Sequence, residues 1–148
     1  MELRLREQQR QYHKLVESSG AILFAADPQT LQFSFVSSEA EKLLGYPVSD
    51  WVADDNFWRD HLHPEDRDWA PGFCMSMVEQ HKDHDFDYRM IAADGRTVWL
   101  RDLTSVLVEE GRVVSLVGVM VDVTESKEAE QELWLSLIHI SEPTRPLH

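Results

Sequence analysis

The hydrophobic pattern is densest between residues 113 and 121, where "VVSLVGVMV" sets Val114, Leu116, Gly118 and Met120 on one parity and Val113, Val117, Val119 and Val121 on the other. Successive strand residues point to opposite faces of a sheet, so this pattern predicts a strand covered on both faces. Upstream, "DFDYRMI" alternates Phe86, Tyr88 and Met90 with Asp85, Asp87 and Arg89, "AADG" turns, and "RTVWLRDLTSVLV" runs to a second turn at "EEGR". Near the start, "AILFAAD" reads as a buried strand and "DPQTLQ" as a turn preset by Pro28. "FSFVS" returns with Phe33 and Phe35 on one face. Short helices are expected between these two strands and the later three. "EAEKLLG" is capped by Ser37 or Ser38 and closed by Gly45, and "NFWRDHLH" is capped by Asp54 or Asp55. A longer helix runs from Pro64 through "RDWAPGFCMSMVEQHK", irregular at Pro71-Gly72.

Both ends of the chain predict helices with little of their own to bury. Residues 2–19 carry a thin stripe of Leu5, Tyr12, Leu15 and Val16, which needs a partner surface. After the last strand, "TESKEAEQELW" follows with no flexible linker. Thr124 serves as N-cap there and Glu125 suits the positive helix end. Displacing the strand would therefore move the helix. Strands, then helices, then strands make the class α+β rather than the strict alternation of a parallel sheet.

The 148 residues suit one domain, and 43% hydrophobic content supports a packed core. A net charge of −13 repels phosphate backbones and anionic membranes, which argues against nucleic acid as a partner. Cys74 is the only cysteine, so no internal disulfide forms and a reducing, cytoplasmic setting is expected. The N-terminus is too charged for a signal peptide, and no apolar run approaches the roughly 18 residues of a membrane span.

"HPEDR" (63–67), "DYRMIAADGRTVWLRD" (87–102) and "VGVMVDVTESKEAE" (117–130) together resemble a PAS domain of the PAC-containing type, over roughly residues 12–130. The resemblance implies a five-stranded antiparallel sheet in the order second, first, fifth, fourth, third, with short helices on one face. It also implies a sensory role: a small ligand held between sheet and helices, dimerisation, and a covalently linked effector such as a histidine kinase. The expected division is a flanking helix at 1–19, the core at 20–123 and an output helix at 124–134. Residues 135–145, "LSLIHISEPTR", resemble a translated sequencing adapter of the kind that contaminates metagenomic assemblies, so 135–148 are expected to be a tail without selected function.

The candidate ligand-facing residues are Phe57, Trp58, Phe73, Met77, Phe86, Tyr88, Leu103 and Met120. The expected ligand is small and organic. Signal transmission falls to Asp122 and Thr124, whose "DVT" resembles the family's Asp-Ile-Thr junction. A tight hairpin at Glu110-Gly111 would set Asp122 opposite Val98 or Trp99, within diagonal reach of Arg96 or Arg101, and an ion pair with one of them is expected. Haem through His81 or His84 is a further possibility. The cysteine motif of flavin-binding relatives is absent, Cys74 reading as a small buried hydrophobe. Asp83, Asp85 and Asp87 read as a solvated strand edge, and the chain shows no enzyme constellation. A homodimer is expected through the N-terminal helix and the outer sheet face; the alternatives to a ligand sensor are a ligand-free dimerisation module and a haem-based gas sensor.

Overall fold

The computed structural model describes Arg10 and residues 20–141; the expected helix at 1–19 otherwise lies outside the described residues. Five strands form one antiparallel sheet: β1 (Ile22–Ala26), β2 (Phe33–Val36), β3 (His84–Ile91), β4 (Thr97–Glu109) and β5 (Arg112–Asp122), in the order β2-β1-β5-β4-β3. The long apolar strand β5 lies between β1 and β4, as its two apolar parities require. Five helices follow β2 or precede β3: α1 (Glu39–Leu44), α2 (Val48–Ala53), α3 (Phe57–His61), α4 (Pro64–Arg67) and α5 (Ala70–Glu79). Between these helices and the inner sheet face lies the core, centred on Trp51, Tyr88, Leu62, Leu100, Leu116 and Met120.

Two extra residues in the strands turn side chains to the face opposite the one their parity suggests. In β1–β2, Ala25 faces Phe35 and Ala26 faces Phe33, leaving Ser34 as a bulge. Phe33 is therefore buried while Phe35 is exposed, against the expectation that they share a face. The β4–β5 hairpin turns at Glu110 and Gly111 with φ of 51° and 78°, both in the left-handed region that a two-residue primed turn demands. Val108 then faces Val113, but Leu107 faces Ser115, so Val114 is the second bulge. Val113 packs on the core and Val114 points out, the reverse of the plain alternation. Beyond the bulge Asp122 sits opposite Leu100, not Val98 or Trp99.

Among the helices, α2 has no counterpart in the sequence reading. It follows Pro47 and buries Trp51, whose ring meets Phe33 at 5.4 Å and Phe57 at 4.7 Å. The helix expected to run from Pro64 with an irregularity at Pro71-Gly72 is instead interrupted earlier, at Asp68 and Trp69. Pro71 falls in the first turn of α5, where a missing N–H costs no hydrogen bond. His63 caps α4, its Nδ1 accepting from Glu65 N at 3.1 Å. Asp66 fastens this loop to the sheet. Its carboxylate accepts from Arg89 N, Nε and Nη2 at 2.7, 3.0 and 2.8 Å, and from Trp69 Nε1 at 3.1 Å. Burial pushes that carboxyl up, and the Arg89 hydrogen bonds outweigh it, holding it below the usual range.

The outer sheet face carries Phe35, Leu103, Leu107 and Val114, all exposed. After β5 the chain enters α6 (Thr124–Ser141), which continues past the expected end at Trp134 without a break. Leu133, Trp134, Leu135 and Leu137 on this helix are exposed. No helix among the described residues is long and apolar enough to cross a membrane.

Candidate functional site

A small interior cavity and the junction between β5 and α6 each bring polar groups together beside the last two strands. The cavity, about 20 Å³, lies between the inner sheet face and α3 and α5, lined by Phe24, Phe33, Trp58, Cys74, Phe86 and Asp102 together with Ala26, Leu31, Thr104 and Leu116. Its volume admits about one water-sized group. Asp102 dominates it chemically. The side chain is 5% exposed, and its oxygens accept from the Thr104 hydroxyl at 2.5 Å and the Tyr88 hydroxyl at 2.6 Å. Such lengths are those of hydroxyls donating to an ionised carboxylate. Burial pushes the carboxyl up to about 6, the two hydroxyls opposing the rise. Burial also pushes the Tyr88 phenol well above its ordinary value, with the Asp102 charge adding to it. The Trp58 indole N–H is buried without a hydrogen-bond partner.

Beside the carboxylate, His84 Nε2 lies 3.3 Å from Cys74 Sγ while its Nδ1 lies 3.0 Å from the Lys82 carbonyl. A carbonyl only accepts, so Nδ1 carries the proton and Nε2 accepts from the thiol. Burial, then the Asp102 charge, pushes the Cys74 thiol up to about 12, so it stays protonated and unreactive. These residues do not fit haem: both His84 nitrogens are engaged, His81 is exposed at the end of α5, and the cavity is far smaller than a macrocycle.

At the junction, the Thr124 hydroxyl accepts from Trp99 N at 2.9 Å and donates to Asp122 Oδ1 at 2.6 Å, while Val123 N donates to Trp99 O at 2.9 Å. One turn on, Lys127 Nζ meets Asp87 at 2.8 Å and sits 5.2 Å from the Trp99 ring, with Arg89 4.9 Å from the same ring. The first turn of α6 is thereby tied to β3, β4 and β5 at once. A profile described as "PAS fold" matches residues 33–120, more than half of the chain. The chain belongs to the PAS-fold family.

It is similar to solved sensory domains of signalling proteins. It is 35% identical to the N-terminal domain of a diguanylate cyclase with PAS/PAC sensor from Marinobacter aquaeolei, with a TM-score of 0.68, covering 72% of this chain and 98% of that one. A sensory box histidine kinase/response regulator from Burkholderia thailandensis matches at 23% identity and a TM-score of 0.74, covering 89% of this chain and 98% of that one, which shows the fold alone. Among curated proteins it is 27% identical, over 80% of its length, to the methyl sulfide methyltransferase-associated sensor of Methanosarcina acetivorans. The chain spans 12% of that protein, and 10% of an uncharacterized protein of Sinorhizobium fredii that it also matches.

Against this geometry, the residues predicted to face the ligand divide. Trp58 and Phe86 line the cavity; Phe57, Tyr88 and Met120 are buried in the surrounding core, and Phe73 packs half-buried on Trp69. Met77 lies outside the cavity because Cys74 and Val78 are the α5 positions that turn inward. Leu103 is on the outer face, 42% exposed, because the inward parity of β4 is Val98, Leu100, Asp102, Thr104 and Val106. The expected Asp122 ion pair does not form. Asp122 accepts instead from the Thr124 N–H and hydroxyl, Arg101 binds Asp87 at 2.9 Å, and Arg96 binds Asp94 at 2.7 Å. Asp87 is thus no solvated edge: the Arg101 hydrogen bonds, then Lys127, hold its carboxyl below the ordinary value. Sequence reasoning missed Asp102, Thr104 and Cys74 as a cluster. The signal was present in two polar residues at the centre of one β4 parity.

Proposed function

We propose that the chain is the sensory module of a signalling protein, reading the state of the inner cavity and passing it through β5 into α6. The observation that carries this is the Thr124 hydroxyl, which joins the β4 backbone, the end of β5 and the helix N-terminus in one hydrogen-bonded unit. Asp102 is paired with Met120 across the β4–β5 ladder, two residues before Asp122. A change at the cavity therefore acts on the strand that ends in this unit. Beyond α6 the effector would be of the kind found with similar PAS domains, a histidine kinase or a diguanylate cyclase.

The test is amide hydrogen exchange read at Trp99, Val123 and Lys127. Asp102→Asn, which alters the cavity charge, is expected to change exchange at these amides several-fold. Thr124→Val is expected to raise exchange at Lys127 by about tenfold and to abolish the response to Asp102→Asn, with the core strands still protected. If exchange in the first turn of α6 is the same in wild type and Asp102→Asn, the transmission reading fails.

A second reading, a homodimerisation module that holds no ligand, is favoured by the small cavity and by the exposed Phe35, Leu103, Leu107 and Val114 on the outer face, where a second copy and the N-terminal segment would pack. Native mass spectrometry separates the two. A defined added mass released on activation supports the sensor, and a dimer of bare chain mass supports the dimerisation module.

A further inference from the structure

Asp102 presents a problem that the fold alone leaves open. A buried carboxylate is ordinarily matched by a cation, because ionised groups are costly to hold away from water. Among the described residues no Lys, Arg or His pairs with Asp102; its partners are the Thr104 and Tyr88 hydroxyls. The other polar groups nearest the cavity are the neutral Cys74 thiol bonded to His84 on β3, and the Trp58 indole on α3. Arg59, on α3, spends a donor on the Thr30 carbonyl at 3.1 Å. Four of the ten residues lining the cavity with this anion are aromatic. Phe24 stands edge-to-face with Phe33 at 5.8 Å and 85°, and Trp58 with Phe86 at 6.2 Å and 88°.

We propose that the cavity is a site for a small protonated amine, held by the Asp102 carboxylate and enclosed by Phe24, Phe33, Trp58 and Phe86. An ammonium group supplies the missing positive charge and donates to the carboxylate, while the aromatic side chains of the lining offer no oxygen ligands to a bare metal cation. The cavity volume sets the class: room for about one water-sized group fits ammonium or the head of a short primary amine. A longer carbon chain would need the wall to move aside, Leu31 lining it from the β1–β2 loop with φ of 63°. The proposal rests on the reading of the cavity as the sensing site and names what it senses.

The experiment titrates the purified chain with methylammonium chloride, with potassium chloride and methanol as controls, following the Trp58 indole N–H by NMR. The expected result is a saturable shift near neutral pH with methylammonium alone, weakened about tenfold or more in Asp102→Asn. In wild type it weakens likewise near pH 5, where Asp102 takes up its proton, so the test survives if the variant folds poorly. No saturable shift up to about 100 mM overturns the amine, whatever α6 does, as does an equal response in Asp102→Asn or to methanol. Exchange at Lys127 is recorded in the same samples. A saturable shift with unchanged exchange keeps the amine and overturns the sensory reading instead.

Discussion

Gly118→Ala is expected to lower stability by about 3 kcal/mol or more, enough to remove a large part of what a domain of this size has. Gly118 lies in the middle of β5 opposite Thr104. A methyl group there would drive into the backbone carbonyl of Leu103 and come within 3.0 Å of the Phe24 ring. The ring can turn aside. The carbonyl is held in the central β4–β5 ladder and moves only if that ladder opens. Gly72→Ala is the matched control: its Cβ meets nothing within 4 Å, in the first turn of α5, and it is expected to be neutral or stabilising by up to about 1 kcal/mol. Urea denaturation of both variants measures the contrast. A loss under about 1 kcal/mol for Gly118→Ala would mean the sheet yields at its centre, contrary to the close approach seen between these strands.

The second large effect is in pH dependence. Asp102 is held up to about 6 from an ordinary 3.8, so the folded protein keeps a proton there that the unfolded chain has already lost. The contribution is fully present below the unfolded value and disappears as pH rises through about 6, a change of about 3 kcal/mol over that window. Asp66 and Asp87, both held below the ordinary value, act in the opposite sense. Their contribution is present above the unfolded value and lost as pH falls, so the whole-protein curve mixes the terms. The difference between wild type and Asp102→Asn isolates the one group. Relative to wild type, the asparagine variant should gain stability steadily from about pH 4 to about pH 6 and hold the gain above. Parallel curves from denaturation at each pH would show that Asp102 titrates alike folded and unfolded.

The strand content was legible in the alternation of Phe86, Tyr88 and Met90 and in the turn residues at 92–95 and 109–112, and the strand order in the family resemblance of three motifs in register. What escaped were single-residue insertions. Ser34 and Val114 each add one residue to a strand, and a slip of one sends every later side chain to the other face, so Phe35 and Asp122 were misplaced while their strands were not. Leu103 failed for another reason. Both parities of β4 carry large apolar residues, and the inward one contains Asp102 and Thr104, so hydrophobicity favours the wrong face where the cavity chemistry sits. The helix α2 went unassigned because its six residues offer one large core side chain and no repeat; burial of Trp51 against Phe33 and Phe57 supplies what the local pattern lacks.

The clamp on Trp99 also determines how far a small motion can carry. The indole is flanked by Arg89 and Lys127, and Lys127 stands one turn into α6, whose residues 124–134 precede the adapter-like tail. At 1.5 Å per residue that stretch is about 16 Å long, so a tilt of about 10° at its base sweeps its far end by about 3 Å. A shift at the sheet too small to break one hydrogen bond thus arrives at the other end as a displacement of about the length of one. Angular stiffness at Thr124, more than the size of the change in the cavity, would set the gain of the device.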